Sequence, residues 1–292
     1  IINKHYMSAG NLNLISIDIE DWYLSYDSSQ ITPAKWHLLE SRVTQSTRIF
    51  LKLLAEHQLK ATFFVLGWIA EQHPELIREI SEAGHEIGYH SYNHALPVNQ
   101  GPVEFEADLI RGLDLLENIT GKRPVQYRAP MFSLCNESSW ALPLLMKHGI
   151  EISSSYKAFQ RVNGHKIPNG PFYFIHGNNR LLELPLNRLN LPALNWVYSG
   201  SGYFRLLPIG VLKSLFSQSR YNMAYFHPRD FDLSVPTTKQ LPAYRNFMNR
   251  VGNASTSPKL NKLLNEFGFI PLGQAAVQLR QKTLPEIIID SL

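Results

Sequence analysis

One cysteine, Cys135, stands among 292 residues. A lone thiol excludes an internal disulfide, so packing must hold the fold, and no redox compartment is implied. Cys135 has no basic neighbour in sequence to lower its pKa, so it reads as a packed side chain rather than a nucleophile. No apolar stretch approaches the roughly 20 residues of a membrane-spanning helix. No block of Lys and Arg marks a nucleic-acid stripe or a polybasic anchor. The 28 basic and 24 acidic residues leave a net charge of +4 spread along the chain, which excludes an electrostatically driven nucleic-acid binder and favours an anionic ligand only mildly. Repeats, low-complexity tracts and breaks in composition are absent, so one domain over 1–292 is expected. The first residues, Ile1-Ile-Asn-Lys-His-Tyr-Met7, lack the charged start, apolar run and cleavage site of a secretory leader, which makes a cytoplasmic location the expectation.

What the chain does have is apolar material in short, regularly spaced runs. Hydrophobic residues make up 44% and charged residues 18%, enough for a sizeable core. Leu12–Ile19 is apolar and β-branched and ends in acidic residues, the pattern of a buried strand. Ser41–His57 carries Val43, Thr47, Phe50, Leu51 and Leu54 at helical spacing, and Ala61–Leu66 is a second short strand. Pro74–Ala83 reads as a helix stopped by Gly84, Glu86–Tyr89 as a third strand, and Glu104–Thr120 as an amphipathic helix stopped near Gly121. Val125–Arg128 and a helix over Ser138–His148 continue the alternation. Such alternation predicts an α/β fold on a parallel sheet. Asp18, His90, Arg128 and His227 each follow an apolar run. In a barrel these positions converge on the C-terminal rim, where barrel active sites lie.

Four segments carry chemistry. In Ser16-Ile-Asp18-Ile-Glu20-Asp21-Trp22, three carboxylates crowd a strand exit and repel unless a cation or proton intervenes. A divalent metal would take one as ligand and leave another as general base. In His90-Ser-Tyr-Asn-His94, two histidines four apart suit one metal if they share a face of a helical turn. Such a pair in isolation is more often packed or exposed; its place after a strand, with carboxylates elsewhere in the chain, favours the metal. In Tyr127-Arg128-Ala-Pro130, an Arg at a strand end can fix a buried carboxylate. In Phe226-His227-Pro228-Arg-Asp230, a His ending an aromatic strand is placed to donate a proton.

In this order the four segments resemble the polysaccharide deacetylases, the NodB-homology or family-4 carbohydrate esterases. Thr62-Phe63-Phe64-Val65-Leu66-Gly67 and Gly84-His85-Glu86-Ile87-Gly88 are similar to the family's second strand and to its approach to the histidine motif. The resemblance is strongest over residues 12–135. Ser199-Gly-Ser-Gly202-Tyr203-Phe204-Arg205-Leu-Leu-Pro208, with Phe226-His227-Pro228, resembles a sub-branch associated with exopolysaccharide and surface-glycan loci. The resemblance implies a distorted (β/α) barrel of about seven strands. It implies Asp18 as general base, Arg128 as the residue holding it, His227 as general acid, and His90 and His94 as metal ligands. A carboxylate completes the metal shell: Glu20 by its spacing from Asp18, or Asp21, the shorter and commoner ligand type. Zn²⁺ is the expected ion, although Co²⁺, Ni²⁺ and Fe²⁺ suit the same donors. One departure stands out, since Glu151-Ile-Ser-Ser-Ser-Tyr156 lacks the Asp that relatives often carry beside their serines.

The implied activity is metal-dependent removal of acetyl groups from N-acetylated amino sugars of a surface glycan or its precursor. Trp22 and Tyr203 offer faces for a sugar ring, among other aromatics that include Tyr23, Tyr92, Phe132 and Trp196. Arg205 and Arg229 offer guanidinium groups to an acidic sugar or phosphate, and Pro130 counts among the substrate contacts. Two other functions share these residues. One is hydrolysis of a non-glycan amide, separable by following ring opening against acetate release. The other is a catalytically inactive glycan-binding module, which would keep its ligand after chelation.

Overall fold

The strand Leu12–Ile19 (β1) alternates between two environments. Leu14 packs with Phe64, Ile152, Leu182 and Met223 in one apolar cluster. Ile15, Ile17 and Ile19 pack with Phe50 and Leu54 in another. A strand's side chains point to opposite faces with period two, so the first cluster fills a barrel and the second lies between sheet and helices. A computed structural model describes residues 11–24, 31–189 and 196–289. The stretch Ile1–Met7, considered above for a leader, lies outside them.

After β1 come α1 (Val43–Glu56), β2 (Thr62–Val65), α2 (Gly67–Gln72), α3 (Pro74–Glu82), β3 (Glu86–Tyr89), α4 (Pro97–Thr120), β4 (Gln126–Tyr127), α5 (Ala141–Lys147) and β5 (Ile152–Ser153). A small antiparallel pair, β6 (Arg161–Val162) and β7 (His165–Lys166), precedes β8 (Phe172–His176) and β9 (Asn179–Glu183). The chain then forms α6 (Ser201–Leu206), α7 (Ile209–Gln218), β10 (Tyr221–Phe226), α8 (Ala243–Arg250), α9 (Asn253–Glu266), β11 (Phe269–Ile270), α10 (Leu272–Leu279) and β12 (Glu286–Ile288).

Seven strands, in the order β10-β1-β2-β3-β4-β5-β9, are joined by parallel pairings. They form a distorted (β/α) barrel, in agreement with the expected count. Side chains bridge the seam between its last and first strands. Asn187 Oδ1 accepts from the Met223 main-chain N–H at 2.9 Å, and the Tyr221 hydroxyl donates to the Pro185 carbonyl at 2.8 Å. Leu272, Ala275, Ala276 and Leu279 of α10 join the interior cluster. The parallel expectation holds for the barrel but not beyond it. β8 runs antiparallel to β9 in a tight hairpin, and β12 extends the sheet beside β8.

Interior space is set by one exchange of volume. Phe64 points inward from β2, and a Cβ on Gly88 of β3 would lie 2.6 Å from its ring. Only glycine leaves room for a phenyl ring there, and that ring becomes the floor beneath Arg128 (4.2 Å from guanidinium carbon to ring centre). α4 starts earlier than its apolar spacing predicts, at Pro97, with a kink at Gly101 (φ +75°) before Pro102. Among the described residues no helix is long and apolar enough to cross a membrane.

Candidate active site

Asp18, His90, Arg128 and His227 leave β1, β3, β4 and β10 at or just past the C-terminal ends of these strands. All four are buried, and they meet. Arg128 Nη1 donates to Asp18 Oδ1 at 2.7 Å. Its other nitrogens donate to the Ser154 carbonyl (3.3 Å) and hydroxyl (3.0 Å). Phe132 closes over the guanidinium at 4.6 Å, so Arg128 is held between two rings. That ring reaches its place because Met131 and Phe132 both adopt positive φ (61° and 51°), which turns the loop sharply after Pro130.

His90 and His94 do not lie on a helical turn. Residues 90–96 are an irregular bend, with Ser91 and His94 in the left-handed region (φ 66° and 60°). Non-glycine residues adopt that conformation at a cost met by surrounding bonds. The Ser91 and Tyr92 carbonyls accept from Gly67 and Trp68 at the start of α2. The Asp108 carboxylate accepts from the Tyr92 N–H, and the Ser91 hydroxyl accepts from Ala95. The bend still brings the two imidazoles together, with ring centres 5.6 Å apart.

The two histidines converge on Glu20, whose Oε1 lies 3.1 Å from Nε2 of each. The His90 Nδ1 is 2.8 Å from the Arg128 carbonyl. A carbonyl only accepts, so Nδ1 carries the hydrogen and Nε2 presents a lone pair. A lone pair facing a carboxylate oxygen is repulsive unless a cation lies between them. The electrostatics agree. Burial opposes protonation of His90, but Asp18 and Glu20 together raise its pKa. Burial alone would raise the Glu20 carboxyl, but His94, His227 and His90 hold it well below the usual carboxylate range. Ligand atoms of Glu20, His90 and His94 all lie within 4.8 Å of one another. Two imidazoles and a carboxylate fit a divalent metal with coordination positions left open.

Asp21 is elsewhere. Its carboxylate accepts from the main-chain N–H groups of Trp22, Arg42 and Val43 and from the Ser41 hydroxyl. It therefore caps the start of α1 from across the chain, where Arg42 provides no side-chain cap. Of the two carboxylates open in the sequence, the fold brings Glu20 to the histidines.

His227 lies on the other side of Glu20, with Nε2 3.9 Å from Oε2. Its position is fixed by Asp230, which the sequence analysis did not assign. Asp230 Oδ2 accepts from the His227 N–H at 2.8 Å and lies 3.3 Å from Nδ1. A carboxylate facing Nδ1 directs Nε2 into the site. The signal was present as an Asp three residues after the strand-end His. Burial would raise the Asp230 carboxyl, but Arg205 and His227 bring it down to about 2.

That contact also relocates Arg205. It is 4% exposed and donates to Asn253 Oδ1 and to the carbonyls of Met248 and Asn249, with Asp230 3.5 Å away. It braces the His227 turn and does not line the cleft. Pro130 is buried too; its neighbours Met131 and Phe132 line the cleft in its place. Trp22 and Tyr203 do line it. The cleft has a volume of about 230 Å³ and reaches from Asp18 and Glu20 to Lys157, Arg229 and Arg245. Arg229 donates to Glu20 Oε2 at 3.1 Å. Beneath Arg128 lies a second residue missed in the sequence, the buried Glu183. Its Oε1 accepts from Ser155 and Tyr156, so a carboxylate from β9 reaches the serine run that lacks one of its own.

Comparison with known proteins adds to this geometry. Residues 18–151 match the family profile "Polysaccharide deacetylase", and residues 153–277 match "Domain of unknown function (DUF3473)". The boundary falls just before β5, inside one continuous sheet. A peptidoglycan deacetylase of Helicobacter pylori is 35% identical over 105 residues, which cover 36% of this chain and 35% of that protein. A peptidoglycan-N-acetylglucosamine deacetylase of Bacillus cereus is 27% identical over 156 residues, covering 49% of this chain and 73% of the relative. The chain thus spans about a third of the first relative's length. Among solved structures, a Mycobacterium smegmatis chain classed with the polysaccharide deacetylases superposes with a TM-score of 0.65. It is 21% identical, over 98% of this chain and 96% of that one, a likeness of fold.

Proposed function

We propose that this chain, a member of the polysaccharide deacetylase family over residues 18–151, hydrolyses the N-acetyl group of an amino sugar in a surface glycan or its precursor. The observation that carries this reading is the two-sided use of Asp18. One oxygen is tied to Arg128, and the other lies 4.0 Å from His90 Nε2, beside the Glu20–His90–His94 donor set. A carboxylate fixed on one side and free on the other is arranged as a base towards whatever those donors hold. Glu20, His90 and His94 would hold a divalent metal, taken here as zinc. When bound, that ion supplies Lewis acidity towards the acetamide carbonyl and lowers the pKa of a coordinated water.

The remaining chemistry belongs to the chain. Asp18 takes a proton from the water that attacks the acetyl carbon, and Arg128 holds the carboxylate in line for that transfer. The carbon–nitrogen bond then breaks. An amine anion is a very poor leaving group, so nitrogen must gain a proton as it departs, and His227 Nε2 donates it. Asp230 keeps the imidazole turned towards the cleft through Nδ1. Acetate and a free amino sugar result. Trp22 and Tyr203 provide ring faces for the sugar. The two matched segments act as one catalytic unit, because β10 of the second lies against β1, which leads into the first at Asp18, and carries the acid to the base.

Acetate release from oligomers of N-acetylglucosamine, with and without chelator, tests the reading. Release that stops on chelation and returns with added zinc is expected. Ring opening of a cyclic amide without acetate release would move the site to the non-glycan amidohydrolases. Sugar binding unaffected by chelation, with no turnover, would make it a binding module.

A further inference from the structure

The two carboxylates that line the cleft both have partners: Asp18 has Arg128, and Glu20 has Arg229 and two imidazoles. Lys157, which lines the same cleft, has none. Its main-chain N–H donates to Gln160, but among the described residues its ammonium has neither an ion pair nor a hydrogen bond. The backbone places Arg188 beside it: Lys157 bridges to Leu186, the Ala158 N–H donates to the Leu186 carbonyl at 2.9 Å, and the Arg188 side chain reaches back to the Ala158 carbonyl. Burial together with repulsion from Arg188 pushes the Lys157 pKa down. Arg188 is short of partners as well. Among the described residues its Nε is buried without one, and Nη1 has a single long contact of 3.5 Å to the Ala158 carbonyl. Its backbone is nonetheless held firmly, because Asn169 both accepts from the Arg188 N–H and donates to its carbonyl, each at 3.0 Å. Two cations kept close together without a counter-charge cost free energy that a bound anion would relieve.

The surroundings indicate what carries that anion. The residue after Arg188, Leu189, donates its N–H to the Trp196 carbonyl at 2.9 Å. Trp196 is stacked on Tyr203, with ring centres 5.9 Å apart and planes at 28°. Both rings are exposed (41% and 46%). They form a platform for a sugar ring at the edge of the cleft. A platform and an uncompensated cation pair, joined through adjacent backbone, match a sugar residue that bears a negative charge.

We infer that Lys157 and Arg188 form an anion subsite of the cleft, which receives a carboxylate or phosphate on the unit next to the acetamido sugar. The substrate class is therefore an anionic glycan or a phosphate-linked amino sugar rather than a neutral homopolymer. The acetamido half of this ligand rests on the deacetylase reading; the anion subsite does not.

Three probes test the inference on the whole 292-residue chain. They are a neutral tetramer of N-acetylglucosamine, a tetramer alternating N-acetylglucosamine with glucuronic acid, and uridine diphosphate N-acetylglucosamine. Dissociation constants by calorimetry and kcat/KM for acetate release are measured for wild type, Lys157→Gln, Arg188→Gln and Lys157→Arg. Wild type should bind at least one anionic probe about tenfold more tightly than the neutral tetramer. Which probe shows the preference identifies a carboxylate or a phosphate as the group received. Each Gln variant should lose that preference while its neutral-tetramer affinity stays within about twofold, which also reports an intact fold, and Lys157→Arg should retain it. Equal wild-type affinity for all three probes would overturn the inference, as would Gln variants that weaken neutral and anionic probes alike. If no probe releases acetate, the deacetylase reading fails, and the binding comparison still decides the subsite.

Discussion

Arg128 Nη1 lies 2.7 Å from Asp18 Oδ1, and both side chains are almost wholly removed from solvent. Removing one partner of a buried ion pair strands the other charge. Arg128→Met should therefore lower stability by about 3–5 kcal/mol, read as a fall in the denaturation midpoint. Part of that loss should return in the Asp18→Asn, Arg128→Met double variant. A double-mutant cycle that shows no coupling would mean the pair does not act as a unit.

Glu20 and Asp21 are adjacent in sequence and separate in role. Glu20→Gln should bind metal much more weakly and leave the cap of α1 in place. Asp21→Ala should bind metal normally and unfold more easily, by about 2 kcal/mol, because it uncaps α1. Metal content and thermal midpoint of the two variants check this, and the reverse pattern would exchange the assignments.

Glu183 gives the protein a defined pH dependence. Burial raises its carboxyl from 4.5 to about 7, against hydrogen bonds from Ser153, Tyr156 and Ser155 and the nearby Arg128. Between these two values the folded state holds more protons than the unfolded state, so its stability falls as pH rises through the window. The size is roughly 3 kcal/mol. Chemical denaturation at pH 5 and pH 8 should show this slope in wild type. Glu183→Gln should be flatter, since the amide oxygen still accepts and no charge forms.

Asp230 acts through His227. Asp230→Asn should lower kcat by about 10²-fold with little change in KM, because the ring loses its orienting partner and not its contact with the sugar. Its carboxyl lies below its ordinary value, so its contribution to stability is present above about pH 4 and is lost as pH falls towards 2. Acid denaturation of the Asn variant should lack that component.

Strands that alternate were legible in the sequence. Leu12–Ile19 and Glu86–Tyr89 have the same limits in the structure as in the apolar pattern; along β1, burial on both faces leaves little choice of residue. The convergence of Asp18, His90, Arg128 and His227 also followed, since parallel strands end on one rim. What the sequence could not carry was tertiary. The helical spacing of His90 and His94 suggested a helix, but bonds from α2 and Asp108 impose left-handed turns instead. Arg205 read as a contact for an acidic sugar or phosphate, but Asn253 and the carbonyls ending α8 enclose it. Asp21 had no sequence mark that would tie it to residues 41–43. The β8–β9 hairpin departs from the parallel pattern through its two-residue turn at Gly177 (φ 54°), a local signal outweighed by the alternation elsewhere.

The most direct test pairs metal content with acetate release for wild type and Asp18→Asn. One divalent ion per chain in both proteins is expected, with release from N-acetylglucosamine-containing oligomers in wild type alone, abolished by chelator and restored by zinc. Wild-type rates from Asp18→Asn, or release indifferent to the metal, would contradict a site in which Asp18 is the base beside a Glu20–His90–His94 metal centre.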